Sequence, residues 1–155
     1  MKVYFSGKVF LLKNNQIIID VNYTGYLFNV VSTIGFKHNQ YQKVYFLKCK
    51  SKDYAFSNFR DYVLFSSLVE HATITDSQAT KMMRELGTYN LSKAIVNNDL
   101  ETLIKYFKTE IALMDFIKKT KNSASWVFQK LNGEMYNINN QFNQEQIRQS
   151  TQTDI

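Results

Sequence analysis

The hydrophobic period of this chain changes once, at Arg60, and that change constrains its fold more than any single motif. Before it, apolar residues fall in short aromatic and β-branched runs with no helical spacing. Lys2–Leu12, broken at Gly7, reads as a strand and is followed by Lys13-Asn14-Asn15, a turn whose residues tolerate positive φ. Gln16–Val21 and Gly25–Val31 are two more strands, joined by Asn22-Tyr23-Thr24. After a polar loop from Ser32 to Gln42, Lys43–Lys50 alternates, and Tyr54–Phe59 gives a fifth short strand. Five such strands with no helix between them predict a small antiparallel barrel of the OB type. The expected class is α+β, β first and all-α after: a barrel over residues 1–59, a helical domain over 60–121, and a short helix with an Asn/Gln-rich tail over 122–155.

The first helical stretch, Arg60 to Leu86, divides at Ala72-Thr73-Ile74-Thr75. Val63, Leu64, Leu68 and Val69 stripe the first half; Ala79, Met82, Met83 and Leu86 stripe the second. Thr75 and Gln78 have capping-box spacing, which leaves Asp76 and Ser77 in the first turn. A helix N-terminus of this kind offers backbone N–H groups to a phosphate; an ordinary packed helix pair has the same pattern. Gly87 is expected to end the helix. Asn90 is expected to cap Leu91–Asn97, Asp99 to cap Leu100–Phe107, and Thr109 to cap Glu110–Lys119. Ile111, Met114 and Ile117, with Leu113, are placed on the inner face of that helix. Ser123 or Ser125 starts a last helix through Trp126, Val127 and Leu131 that closes near Gly133. The tail from Asn137, with nine Asn or Gln in nineteen residues, is expected to be mobile or weakly helical.

Charge is unevenly spread. Residues 1–59 carry eight Lys against Asp20 and Asp53, residues 60–136 carry a net +1, and residues 137–155 a net −1. A basic N-terminal third favours a polyanionic partner, and nucleic acid over membrane because no basic amphipathic helix accompanies it. A lysine-rich solvated surface is the plainer alternative. No secretory segment and no span of bilayer length is apparent, so a cytoplasmic protein is expected. Cys49 alone forms no internal disulfide, and no Cys/His set has zinc spacing, so neither metal nor cofactor is expected. Lys48 and Lys50 beside Cys49 would lower its pKa, although strand alternation can also turn it inward. His38 and His71 have no nucleophile or carboxylate partner in sequence and read as structural. Trp126 reads as a packed aromatic. Most Tyr and Phe of the first strands are expected to be buried rather than to stack bases. No acid/base pair or nucleophile set points to an enzyme.

In order and spacing, Met1…Gly7-Lys8-Val9, Ile17-Ile18-Ile19-Asp20-Val21, Gly25-Tyr26…Val30 and Tyr54-Ala55-Phe56 resemble the first domain of the RuvA family. Leu64-Phe65…Leu68-Val69 and Ala94-Ile95…Asp99-Leu100…Leu103 continue the resemblance, which covers about residues 1–120. That family is the DNA-binding subunit of the bacterial machine that moves four-way (Holliday) junctions. The resemblance implies a non-catalytic homotetrameric plate, or an octamer of two plates, that binds junction DNA through helix-hairpin-helix motifs. It implies partners as well: the RuvB ATPase, which drives branch migration, and the RuvC resolvase.

Carried over by residue, the resemblance places the first hairpin at Thr73-Ile74-Thr75-Asp76-Ser77 with Lys81. The second falls at Tyr106-Phe107-Lys108-Thr109-Glu110, with Lys105 before it and Lys118-Lys119 at the far end of the next helix. Both hairpins depart from the family's Gly-hydrophobic-Gly, with Thr-Ile-Thr in one and Lys-Thr-Glu in the other. Thr resists the positive φ and close phosphate approach that Gly permits. The family's acidic pin at the junction centre corresponds to Lys48-Cys49-Lys50-Ser51-Lys52-Asp53, where the charge is reversed. The expectation is that Lys48, Lys50 and Lys52 attract the junction centre and offset weaker hairpins. The family's third, motor-docking domain has no clear counterpart in residues 122–155. Two other readings remain open: a general duplex or single-strand binder, and a self-association module whose nucleic-acid chemistry has decayed.

Overall fold

In the computed structural model, which describes residues 3–70 and 74–153, five strands precede four α-helices. The strands are β1 (Tyr4–Leu11), β2 (Gln16–Val21), β3 (Thr24–Asn29), β4 (Gln40–Lys48) and β5 (Asp53–Phe56). They close into a barrel in the order β1-β2-β3-β5-β4, with β4 returning to β1. All pairings are antiparallel except β3 with β5, which is parallel and joins Asn29 to Tyr54. The expected five-stranded barrel followed by helices is therefore present.

Strand alternation sends Val9, Ile17, Ile19, Phe28, Val30, Val44 and Ala55 into the barrel, and Phe36 closes one end from the long loop. Gly7 lets β1 bend while paired on both edges: a Cβ there would lie 2.7 Å from the Asp20 carbonyl oxygen and from the Ile19 side chain. The turns at Asn14-Asn15 and Asn22-Tyr23 all have positive φ, the conformation Asn tolerates best among L residues.

The helices are α1 (Phe59–Val69), α2 (Asp76–Val96), α3 (Leu100–Leu103) and α4 (Glu110–Thr153), with a 3₁₀ turn at Ile104–Tyr106. Their core holds Leu64, Phe65, Leu68, Met82, Leu91, Ile95, Leu103, Leu113 and Phe116, and takes in Tyr54 and Phe56 from β5. Asn58 caps α1, accepting from the Asp61 N–H at 2.9 Å. Thr75 caps α2 through the full box: Gln78 N–H donates to Thr75 Oγ1 at 3.1 Å, and Thr75 N–H donates to Gln78 Oε1 at 3.0 Å. Asp99 and Thr109 cap as the sequence indicates.

Four expectations fail in the helical part. Gly87 ends the first helical run of α2 as expected, at φ 79° and ψ 161°, but helical backbone resumes at Thr88, so the second run starts ahead of Asn90 and Asn90 is not its cap. Ile111 is 82% and Met114 57% exposed; the inner line of α4 is Leu113, Phe116, Ile117, Thr120, Ala124 and Val127. That line crosses Ser123 and Ser125 without a break, and within it Thr120 Oγ1 donates to the Phe116 carbonyl at 2.8 Å. Finally, α4 runs 44 residues through Gly133 and the Asn/Gln-rich segment to Thr153. The sequence holds no proline to stop it, and its Gln, Glu and Arg are good helix formers.

Gly87 and Gly133 make opposite predictions. Gly87 occupies backbone space that essentially only glycine adopts, and a Cβ there would touch nothing within 4 Å, so its cost is purely conformational. G87A should lower unfolding free energy by about 1–3 kcal/mol in urea titration. G133A, at an open position inside α4, should raise it by up to about 1 kcal/mol.

Candidate nucleic-acid interface

The site grows from the seam between barrel and helices. Tyr54, at the closing pair of the barrel, sends its hydroxyl to the first turn of α2, donating to Asp76 Oδ2 at 3.0 Å and accepting from Thr80 Oγ1 at 3.5 Å. Burial chiefly pushes the Tyr54 phenol pKa up, so it stays a donor. A second clamp lies two turns further along α2. Arg84 donates from Nε to the Val31 carbonyl at 2.8 Å and from Nη2 to the Val30 carbonyl at 3.0 Å. These are backbone acceptors, so its charge is oriented without being neutralised.

These clamps set the face of α2 bearing Ser77, Lys81 and Arg84 beside two barrel turns. Asn14, Asn15 and Lys52 share one groove of about 450 Å³ with Ser77, Lys81 and Arg84. The structure thus brings Lys52, from the segment expected to hold the pin, to Ser77 and Lys81, from the segment expected to form the first hairpin. Lys48, Lys50 and Lys52 are all exposed, and the turn that carries them is tight, with Cys49 N–H donating to the Lys52 carbonyl at 3.0 Å. Asp53 is half-buried and pairs with Lys48 in the β4–β5 ladder.

For Cys49 the inward alternative holds, although it turns toward the helical core and not into the barrel. Its thiol is not activated by the neighbouring lysines; it packs against the helical core, and burial, with Asp76 and Asp53 adding to it, raises its pKa to about 11. The turn is therefore seated on the helical domain. His38 is structural: its Nδ1 accepts from the Leu11 N–H at 3.0 Å. Trp126 packs edge-on to Phe59. Tyr4, Tyr23, Tyr26 and Tyr41 stand exposed on the barrel, whereas Phe5, Phe28 and Phe46 pack into it as expected.

In the first hairpin, Thr73 lies outside the described residues, as does His71. Ile74 is buried, while Thr75 and Ser77 are exposed. Thr75 spends its own N–H and hydroxyl on Gln78, and Asp76 spends its carboxylate on Tyr54, which leaves Ser77 and Lys81 facing solvent. In the second hairpin, Lys105 lies 3.5 Å from Glu85 of α2, and Tyr106 donates to the same carboxylate at 2.6 Å. The Tyr106 hydroxyl bond, with Lys105 and Lys81 nearby, lowers the Glu85 pKa, so Glu85 is ionised and already partnered. Lys108 and Lys118 are exposed. Thr109 caps α4, accepting from the Ala112 N–H at 3.1 Å, and Lys119 pairs with Asp115 at 3.0 Å. Lys105 thus joins the Lys81 side of α2, whereas Lys118 and Lys119 sit farther along α4.

Sequence reasoning missed Arg84, Asn14 and Asn15 as site residues. The spacing of Ser77, Lys81 and Arg84 (i, i+4, i+7) was the available signal, since it places all three on one helical face. Among the described residues no group of His, Cys, Asp and Glu could hold a metal ion, and no helix is long and apolar enough to cross a membrane.

No protein-family model matches the chain. It is 26% identical over 156 residues to the Holliday junction branch migration complex subunit RuvA of Mesomycoplasma hyopneumoniae, across 98% of this chain and 66% of that protein. It is 30% identical over 112 residues to the protein of the same name from Pediococcus pentosaceus, across 70% of this chain and 57% of that one. The chain spans less than two thirds of the length of these curated relatives, and the two matches support a RuvA-like relationship.

The seating of Cys49 is testable by alkylation. A pKa of about 11 instead of 9.0 leaves about a hundredfold less thiolate at pH 8. Iodoacetamide labelling of the folded chain at pH 8 should be slower than that of a cysteine peptide by about tenfold or more, since the more basic thiolate is also the better nucleophile, and should accelerate as pH rises through 10. Peptide-like labelling at pH 8 would mean that the turn is not seated on the helices.

Proposed function

We propose that this chain is a RuvA-like, non-catalytic scaffold that binds four-way DNA junctions and presents them for branch migration. In this reading residues 1–59 form the barrel domain, and residues 60–121 carry two helix-hairpin-helix elements, α1 to α2 and the 3₁₀ turn to α4. Residues 122–153 extend the last helix. The observation that carries the reading is the convergence of separately encoded cations at one seam: Lys52 from a barrel turn, Lys81 and Arg84 from α2, and Lys105 from the second hairpin. Glu85, the carboxylate beside them, is taken up by Tyr106 and Lys105. A surface of this kind binds phosphates and reads shape more than sequence.

Lys48, Lys50 and Lys52 stand where the resemblance puts the acidic pin, and they attract the strands at the junction centre. Assembly as a homotetramer, with an octamer as the closed form, supplies four such surfaces for four arms. A RuvB-type motor is the partner that moves the junction, and a RuvC-type resolvase is the one that cuts it.

A gel-shift comparison of a four-way junction, a matched duplex and a single strand tests the reading, with light scattering for mass. The junction should bind at least about tenfold more tightly than the duplex, and the scattering mass should be that of four chains. Equal affinity for all three would make the chain a general DNA binder, and no binding at low salt would leave only self-association. K48A/K50A/K52A should weaken junction binding and flatten its salt dependence by up to about 3 units of log–log slope. An unchanged slope would remove the pin lysines from the interface.

A further inference from the structure

We infer that the groove between the barrel's β1–β2 and β4–β5 turns and the outer face of α2 holds a single DNA strand by its phosphates, an inference that rests on the DNA-binding reading above. The two turns are those that flank the strand path in oligonucleotide-binding barrels. Here they supply Asn14 and Asn15 on one side and Lys52 on the other, and α2 forms the remaining wall with Ser77, Lys81 and Arg84.

The chemistry of this groove suits a phosphodiester more than a base. Its cations are Lys52, Lys81 and Arg84, none of which forms an ion pair among the described residues. Glu85 is the acid on its lining, and its carboxylate is bound to Tyr106 and Lys105. The ring of Tyr54 at its floor is 3% exposed and packs on Phe65 at 4.8 Å, so it offers no stacking platform. Ser77, Asn14 and Asn15 add neutral donors around the charged groups.

Arg84 is the positioning element. Its fork is fixed on the Val30 and Val31 carbonyls before any ligand arrives, so little side-chain freedom is lost on binding. Lys52 and Lys81 are free to adjust on either side. Such a strand track takes up one strand as it leaves a paired arm, beside the surface that receives the arm itself.

The test measures fluorescence anisotropy of a labelled oligothymidylate and a labelled four-way junction across a salt series, with the full chain. Three proteins are compared: the wild type, K52M/K81M, and K93M/K130M, which removes the same charge outside the groove. K52M/K81M should bind the single strand about tenfold or more weakly, with the log–log salt slope reduced by about 1.4 for two lost phosphate contacts. K93M/K130M should change affinity less than about twofold. Equal losses in both variants would mean diffuse attraction and overturn the groove. So would wild-type protein that binds the junction but not the single strand, an outcome that leaves the junction reading standing. Wild type that binds neither probe overturns both.

Discussion

Tyr54 joins the two halves of this molecule through three parts of one residue. Its backbone makes the parallel pair with Asn29 that closes the barrel. Its ring leaves the barrel for the helical core, where it packs on Phe65. Its hydroxyl then fixes the first turn of α2 through Asp76. A parallel closure one pair long is weak by itself, and Asn29 Nδ2 supports it by donating to the Asp53 carbonyl at 3.4 Å. The helical core on the far side of Tyr54 therefore stabilises the barrel, and the barrel in turn orients α2. Arg84 repeats this coupling from the other direction by holding the Val30 and Val31 carbonyls just after β3. Because both clamps act on α2, the lysine-bearing barrel turn and the lysine-bearing helix face keep a fixed relation.

That fixed relation accounts for the charge distribution. Eight lysines in the first 59 residues would be a diffuse cationic surface if the barrel were independent of the helices. Seated against α2, the β4–β5 turn brings Lys52 to Lys81, and Glu85 is drawn aside toward Lys105 and Tyr106. The Lys105 pKa is raised, mainly by its hydrogen bond with Tyr106, so its ammonium stays charged while it holds Glu85. The local field is then positive across the seam, although residues 60–136 carry almost no net charge.

Much of the fold was legible because local and tertiary signals agreed. The five strands follow from β-type runs separated by Asn-rich turns, and the Thr75–Gln78 box follows from spacing alone. Legibility failed where tertiary packing chose among several local options. Ile111, Met114 and Ile117 make as good a helical stripe as Leu113, Phe116 and Ile117 do, and the packing of α4 on α1 and α2, with Phe107 against Phe116, decides between them. Gly87 reads as a stop and is one, its φ and ψ lying outside the helical region, yet helical backbone resumes at Thr88 and not after Asn90. Ser123, Ser125 and Gly133 carry break signals that Ala124 and Val127, buried in register, override. At the site, Lys52 and Lys81 were legible singly. Their proximity was not, because it depends on Tyr54 and Arg84 reaching across the seam.

In the proposed reading, the capping box bears on how the turn before α2 would meet a phosphate. A hairpin that grips phosphate through backbone must leave its N–H groups unspent, and glycine allows the chain to approach closely enough to use them. In this chain Thr75 gives its hydroxyl and its N–H to Gln78, so the turn is stabilised internally at the expense of donors. Asp76 is likewise spent on Tyr54. What the backbone no longer offers must come from side chains on the next turns of the same helix, where Ser77, Lys81 and Arg84 stand in line. Binding through side-chain cations depends more steeply on salt than binding through neutral N–H groups, because each cation displaces condensed counterions from the phosphates. In the proposed reading, threonine at Thr75 and the lysines of the β4–β5 turn therefore act in the same direction, placing affinity on charge more than on shape-fitted backbone.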